Sequence, residues 1–173
     1  MNLSDLTIRK ETKGDAIDIG AVHDAAFKQE DEGRLVDRIR RGPHFIPELS
    51  LVAELDRKII AHCLLSRIYI KSTQWIDTLG LAPVAVLPEY QHQGIGAMLI
   101  KHSLKVAKQE GHHSVIVLGH PEYYPKFGFV KASIYGIKCP FEVADEAFMA
   151  IELTPDSLQN CSGEVCYPKE FGI

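Results

Sequence analysis

The run from Leu81 to Ile100 constrains this chain most, because it reads as three consecutive pieces of one device. An apolar segment with β-branched residues, Leu81 to Leu87, is stopped by Pro88 and suits a buried strand. A short polar loop follows and closes on Gly94 and Gly96. Beyond it Ile95, Met98, Leu99, Val106 and Ala107 recur at helical spacing, with Lys101, Lys105 and Lys108 between them. Strand, Gly-rich turn and helix in that order aim unpaired backbone N–H groups and a positive helix end at an anion. The run therefore predicts a phosphate-bearing cofactor held at residues 91–97.

The rest of the chain supplies a frame around that device. Residues 6–9 alternate and predict a first short strand. Thr12 followed by Asp15 has the form of a capping box and opens a helix over residues 13–28. Leu35, Val36 and Ile39 form the face of a second helix that ends near Gly42-Pro43, with Arg38, Arg40 and Arg41 read as its solvated side. Residues 51–55 and 59–70 flank a tight polar turn and predict a hairpin, and a further strand begins near Trp75. Gly111 is placed to cap the third helix, and Ser114 to Leu118 is a compact apolar strand. Residues 81–118 thus form a strand–helix–strand unit whose crossover should be right-handed and whose strands should be parallel. Phe148 to Leu153 is a late strand, and residues 163–168 of the tail are placed to add an edge strand.

Three Gly-rich turns compete for residues 91–97. A P-loop requires Lys and a hydroxyl residue after its second Gly, and neither is present. A dinucleotide fingerprint requires a third Gly where this chain has Leu99, and an acidic residue closing the next strand where it has Leu118-Gly119. The third pattern, Gln/Arg-x-x-Gly-x-Gly/Ala, is met by Gln91-His92-Gln93-Gly94-Ile95-Gly96. One helix and one strand later comes Tyr124-Pro125-Lys126-Phe127-Gly128-Phe129. With both blocks in this order the sequence resembles the GNAT superfamily of acyl-CoA-dependent N-acyltransferases, over residues 6–153. The flanking Leu-Ala-Pro-Val-Ala-Val and Gly-His-Pro-Glu-Tyr-Tyr runs are similar to a subgroup of uncharacterised bacterial-type predicted acetyltransferases.

The resemblance implies an α/β (α+β) GNAT fold: a mixed, mostly antiparallel central sheet with a splayed strand pair and helices on both faces. It implies one acyltransferase domain over residues 1–153, with 154–173 a tail packed on the same domain. It implies acetyl-CoA as cosubstrate, and no metal. The pyrophosphate of coenzyme A would lie on Gln91, His92, Gln93, Gly94, Ile95, Gly96 and Ala97, and the pantetheine arm along the strand that carries Ala85, Val86 and Leu87. A backbone N–H near Val86 would polarise the thioester carbonyl, and Pro83 fits the irregular strand such a slot needs. Tyr124 stands where many members keep a tyrosine that protonates the departing thiolate, with Tyr123 as the lesser alternative; Phe127 belongs to the same block. Relatives often place an Asn shortly after the strand, whereas this chain has Gly119-His120-Pro121, leaving His120 as a candidate cofactor contact. The position where some relatives carry a catalytic Glu is Gly80, so the general base stays open among Glu54, His62, Asp77 and Glu122. Acceptor specificity would come from residues 27–47 and 131–147, where Glu30, Asp31, Glu32 and Glu142 stand among aromatic residues.

Composition bounds the partners. The 173 residues suffice for one domain with a full core, and a net charge of -4 argues against a general nucleic-acid binder. The four cysteines, Cys63, Cys139, Cys161 and Cys166, show no metal-ligand spacing; Cys161 and Cys166 could pair if the tail turned back on itself, and the plainer reading is reduced thiols of a cytoplasmic protein. No run approaches the length of a membrane span and no secretory leader is visible. The expected partner is a small-molecule or peptide amine, with the protein a monomer or homodimer. An acyl-CoA-binding sensor or interaction module of the same fold, without turnover, is the alternative; a nucleotide-binding protein is the weaker third reading.

Overall fold

A computed structural model describes residues 3–173. After β1 (Thr7–Lys10) come α1 (Ala16–Phe27) and α2 (Asp31–Arg41), then the hairpin β2 (Ser50–Leu55) and β3 (Lys58–Lys71), followed by β4 (Trp75–Leu81) and β5 (Ala85–Val86). Helix α3 (Ile95–Gln109) leads to β6 (Ser114–Leu118), β7 (Val130–Lys131), β8 (Ile137–Lys138), β9 (Phe148–Glu152) and β10 (Gly163–Cys166). The main path of the sheet runs β1-β2-β3-β4-β6-β9-β7. Its pairs are antiparallel except β4 with β6 and β10 with β8.

Local chemistry accounts for the element ends. The Asp15 carboxylate accepts the Thr12 N–H at 2.7 Å and the Thr12 hydroxyl at 3.0 Å, and so fixes the entry to α1. The β2–β3 turn places Asp56 (φ 50°) and Arg57 (φ 65°) in the left-handed region, the paired positive angles of a type I′ hairpin. At the end of α3, Gly111 (φ 85°) donates to Lys108 C=O and His112 donates to Ala107 C=O, which together close a Schellman motif.

Strand β3 is the spine. Its first half lies between β2 and β5, and its second half between β4 and β10. Neighbouring residues of β3 show how the helices are layered. His62 meets His23 of α1, whereas Cys63 accepts from Ser103 of α3. Successive side chains of a strand point to opposite faces, so α1 and α3 cover opposite sides of the sheet. Ile95, Leu99, Ile100, Leu104 and Ala107 put α3 into the core, where each fully buried large aliphatic side chain is worth about 1.5–3 kcal/mol.

Two features differ from the sequence reading. Residues 81–87 do not form one continuous strand: β4 ends at Leu81, and only Ala85 and Val86 resume pairing with β3. The parallel partner of β6 is therefore β4, not the segment entering the loop. Arg40, expected on a solvated face, is instead turned inward to Glu11 at 2.6 Å. Glu11 is reached as well by the Ser50 hydroxyl, and His62 and His23 extend this buried polar chain, each joined to the next at 2.9 Å.

The proton order in that chain follows from its acidic end. Burial would raise the Glu11 pKa, but its polar neighbours His62, Arg40 and Ser50 outweigh that and hold it at about 2. An ionised Glu11 only accepts, so Ser50 donates to it and accepts from His62 Nε2–H. His62 Nδ1 then accepts from His23 Nε2–H, which leaves His23 Nδ1 buried without a partner. No helix among the described residues is long and apolar enough to cross a membrane.

Candidate functional site

The site begins with a miscount between two strands. Leu81 stands opposite Leu65, and Ala82 donates to Leu64 C=O, but the next partner of β3, His62, faces Ala85. Three residues on one strand thus oppose two on the other, so a β-bulge lies at Pro83 and Val84. Proline cannot donate to a ladder, which is why the break falls there. Beyond the bulge Leu87 N–H donates to Ile60 C=O, so the adjacent Val86 directs its own N–H away from β3. Strand β6 has by then diverged: β4 pairs with it only at Leu79–Val115 and Gly80–Ile116. Val117 and Leu118 continue past the last pair, and a cavity of about 520 Å³ opens between the two arms.

The start of α3 reaches this cavity through Gly96. The first bond of that helix runs from Met98 N–H to Gly94 C=O, so the amides of Gly94, Ile95, Gly96 and Ala97 have no intrahelical acceptor. Gly94 holds φ 81°, a left-handed angle that favours glycine. Gly96 lines the cavity, and a Cβ there would fill the gap between the Tyr123 hydroxyl and a Val86 methyl, 3.5 Å from each. Gln91 donates from Nε2 to Val86 C=O at 2.9 Å and so ties the loop to the end of β5.

Beyond β6, residues 124–127 form one 3-10 turn. Tyr124 packs edge-on against Phe129 and Tyr123, with centroids 5.7 and 5.3 Å away. Burial, with smaller contributions from Cys63 and Tyr123, raises the Tyr124 pKa, so its phenol stays protonated at neutral pH. Tyr123 is raised in the same way by burial and by Cys63. Gly119 makes room for the Tyr124 ring: a Cβ at 119 would fall 2.2 Å from its Cε2.

The structure therefore brings Val86, Gln91, Gly96, His120 and Tyr124 to one cavity, together with Tyr123. Ala85, Leu87 and Ile95 send their side chains into the core and offer only backbone. His92, Gln93 and Gly94 are exposed on the loop, and Ala97 is half-buried on α3. Phe127 stands behind Tyr123, centroids 5.2 Å apart, and not in the cavity wall.

The four open base candidates lie elsewhere. Glu54 binds Arg9, His62 is wholly buried, and Asp77 and Glu122 are exposed outside the cavity. Gly80 lies against Ile68, where a Cβ would meet its Cγ2 at 3.1 Å. No group of three or more His, Cys, Asp or Glu among the described residues is arranged to hold a metal ion.

The far half of the cavity is built by residues that no motif marked. Phe27 and Leu35 come from the two N-terminal helices, and Phe141 from the loop before β9. Tyr167, Phe171 and Ile173 come from the tail. Tyr167 bridges Phe141 and Phe171, with centroids 6.3 and 5.2 Å away. The tail is fixed by β10 pairing with β3, by Arg38 Nε donating to Glu170 C=O at 3.1 Å, and by His44 Nδ1 lying 3.4 Å from the Glu170 carboxylate. Of the acidic residues expected around the acceptor only Glu32 lines the cavity.

Comparison with known proteins agrees with this geometry. Residues 47–131 match the family described as an acetyltransferase (GNAT) domain. The uncharacterized N-acetyltransferase YjhQ of Escherichia coli (strain K12) is 34% identical over 148 residues, which span 84% of this chain and 82% of that protein. The uncharacterized N-acetyltransferase YhbS of the same strain is 30% identical over 169 residues, 96% of this chain and 98% of that one. The crystal structure of Escherichia coli YhbS, a GNAT family N-acetyltransferase in complex with CoA, superposes with a TM-score of 0.91 at 28% identity, covering 98% of this chain and 93% of that one. A GNAT family acetyltransferase from Brucella melitensis in complex with acetyl-CoA gives a TM-score of 0.78 at 33% identity, covering 96% and 97%. The chain belongs to the GNAT acetyltransferase family.

Proposed function

We propose that the protein transfers an acetyl group from acetyl-CoA to a primary amine by direct attack within a ternary complex. The observation that carries this reading is that one cavity unites the reacting groups. It joins the open start of α3, the outward Val86 N–H and the Tyr124 phenol, with room for a second molecule at its far end. The residues fit coenzyme A. Free amides at Gly94, Ile95, Gly96 and Ala97 suit a pyrophosphate, and the gap that a Cβ at 96 would fill is a cradle for it. The relatives solved with CoA and acetyl-CoA support the same assignment.

Acetyl-CoA supplies an activated thioester, and the chain's own groups do the rest. The Val86 N–H is directed to polarise the thioester carbonyl. As the amine nitrogen bonds to the carbonyl carbon and the carbon–sulfur bond breaks, Tyr124 gives its proton to sulfur and recovers one from the newly acylated nitrogen. That exchange suits a phenol of raised pKa, because no free phenolate has to form. His120 lies on the rim of the same cavity as a further contact.

Tyr124→Phe tests the assignment. Thiol release should fall by about 10²–10⁴-fold while CoA affinity measured by calorimetry stays near that of the parent; full activity would remove Tyr124 from the mechanism. Gly96→Trp should fold and lose CoA binding, and unchanged affinity would count against the loop. The second reading, an acyl-CoA-binding module without turnover, draws on one observation: none of Glu54, His62, Asp77 and Glu122 lines the cavity. Tight CoA binding with no thiol release for any amine would favour it.

A further inference from the structure

We infer that the acceptor is a small primary monoamine whose nitrogen is carried on a short arm from a flat aromatic body. The inference rests on the proposed acetyl transfer and concerns the far half of the same cavity.

Charge narrows the class first. Among the described residues Glu32 is the only acidic side chain lining the cavity, and no Lys or Arg of the described residues lines it. One carboxylate can balance one ammonium; a polyamine or aminoglycoside would bring further cations into a wall with nothing to pair them. An amino acid, an acidic peptide or a nucleotide would bring an anion that meets no Lys or Arg beside Glu32 and the aromatic rings. Glu32 is oriented for the task, since Gln29 donates to both its oxygens at 2.9 and 3.1 Å and leaves the remaining lone pairs for a ligand.

The body of the acceptor follows from the rest of the wall. Phe27, Phe141, Tyr167 and Phe171 surround this half, and Phe27 is 39% exposed although it stands in a concavity. Such a surface gains most from a flat apolar ring, which it can meet face-on or edge-on. The cavity of about 520 Å³ also has to admit the end of the pantetheine arm, so the acceptor is compact. An ammonium near Glu32 that gives its proton to solvent at the open mouth becomes a free amine in the same open space as Val86 and Tyr124, where the acyl group is to be delivered.

The test uses the full chain with acetyl-CoA and four probes: 2-phenylethylamine, spermidine, phenylalanine, and a peptide amide beginning with phenylalanine. Thiol release should favour 2-phenylethylamine by about tenfold or more in kcat/KM, because each rival carries a charge or a polar group that the wall leaves unpaired. Glu32→Gln and Phe27→Ala should each raise KM for 2-phenylethylamine about tenfold or more, with little change in kcat or in CoA affinity. Preference for any of the other three probes, or an unchanged KM in both variants, would overturn the inference and leave acetyl transfer standing. Calorimetric titration of 2-phenylethylamine into the protein–CoA complex separates the two claims. Binding that Glu32→Gln abolishes, without thiol release for any amine, would sink the transfer reading while supporting the pocket assignment. The absence of both binding and turnover with 2-phenylethylamine would overturn the inference itself.

Discussion

Gly119 and Tyr124 compete for one volume. The ring of Tyr124 lies over the α-carbon of Gly119 so closely that an alanine methyl would approach to 2.2 Å, closer than side chains pack. Gly119→Ala must therefore expel the ring or shift the strand end, at a cost of about 1–3 kcal/mol in stability. Turnover should drop at least as far as in Tyr124→Phe, and the two positions should be strongly coupled. In a Tyr124→Ala background the same Gly119→Ala change should cost almost nothing in a urea titration. Additive losses would show that the two do not share space. The sequence motif names Tyr124 but treats Gly119 only as a missing Asn; the reason for glycine is a contact across five residues that no spacing rule contains.

At the scale of elements, the two glycines of the loop have separate duties. A Cβ at Gly94 would meet nothing, yet φ 81° is a conformation that an L-residue enters at a cost of about 1–2 kcal/mol. Part of that is offset by the lower entropy of an unfolded chain with alanine. Gly94→Ala should lower stability by about 1 kcal/mol or less, read as a small shift of the urea midpoint, and Gly96→Ala should lower it less still. Either variant that unfolds outright would contradict this geometry. Much of this level was legible beforehand: the capping box before α1, Gly42 after α2, the β2–β3 hairpin and the span of β6 all follow from local chemistry. The division of residues 81–87 was not, because a bulge is set by the count of residues opposite it; Pro83 was the only local sign. The tail's role was equally hidden. The four residues of β10 have no pattern that selects β3 as partner, so Tyr167 and Phe171 could not be brought to the site from their order in the chain.

On the whole molecule, the buried chain from Glu11 through Ser50 and His62 to His23 couples the first two helices to the sheet and makes stability depend on pH. Burial, reinforced by His62 and Arg40, lowers His23 from 6.5 to about 3. The unfolded chain therefore takes up this proton first as pH falls, and stability declines through the window from 6.5 towards 3. Glu11 acts in the same direction lower down: its folded value of about 2 lies below 4.5, so its contribution is complete above 4.5 and lost as pH falls towards 2. Urea midpoints should thus fall steadily from neutrality to pH 4.5. His23→Phe should be less stable at neutral pH, because His62 loses its donor, but should show a shallower decline over that range. A decline as steep as the parent's would assign the acid sensitivity elsewhere. The fold also separates its labour along the chain. The wall that faces the proposed cofactor comes from residues 81–97 and 117–124, and the wall that faces the proposed acceptor from residues 26–35, 141 and 167–173. Acceptor preference can therefore drift, or be transplanted between relatives, as a cassette that leaves the thioester half untouched. The natural seam for such a graft is Gly163, whose α-carbon lies so close to the Lys71 carbonyl that a methyl there would reach within 2.2 Å. A donor segment that keeps glycine at that seam can still enter the sheet, and one that does not has to rebuild the spine strand to be accepted.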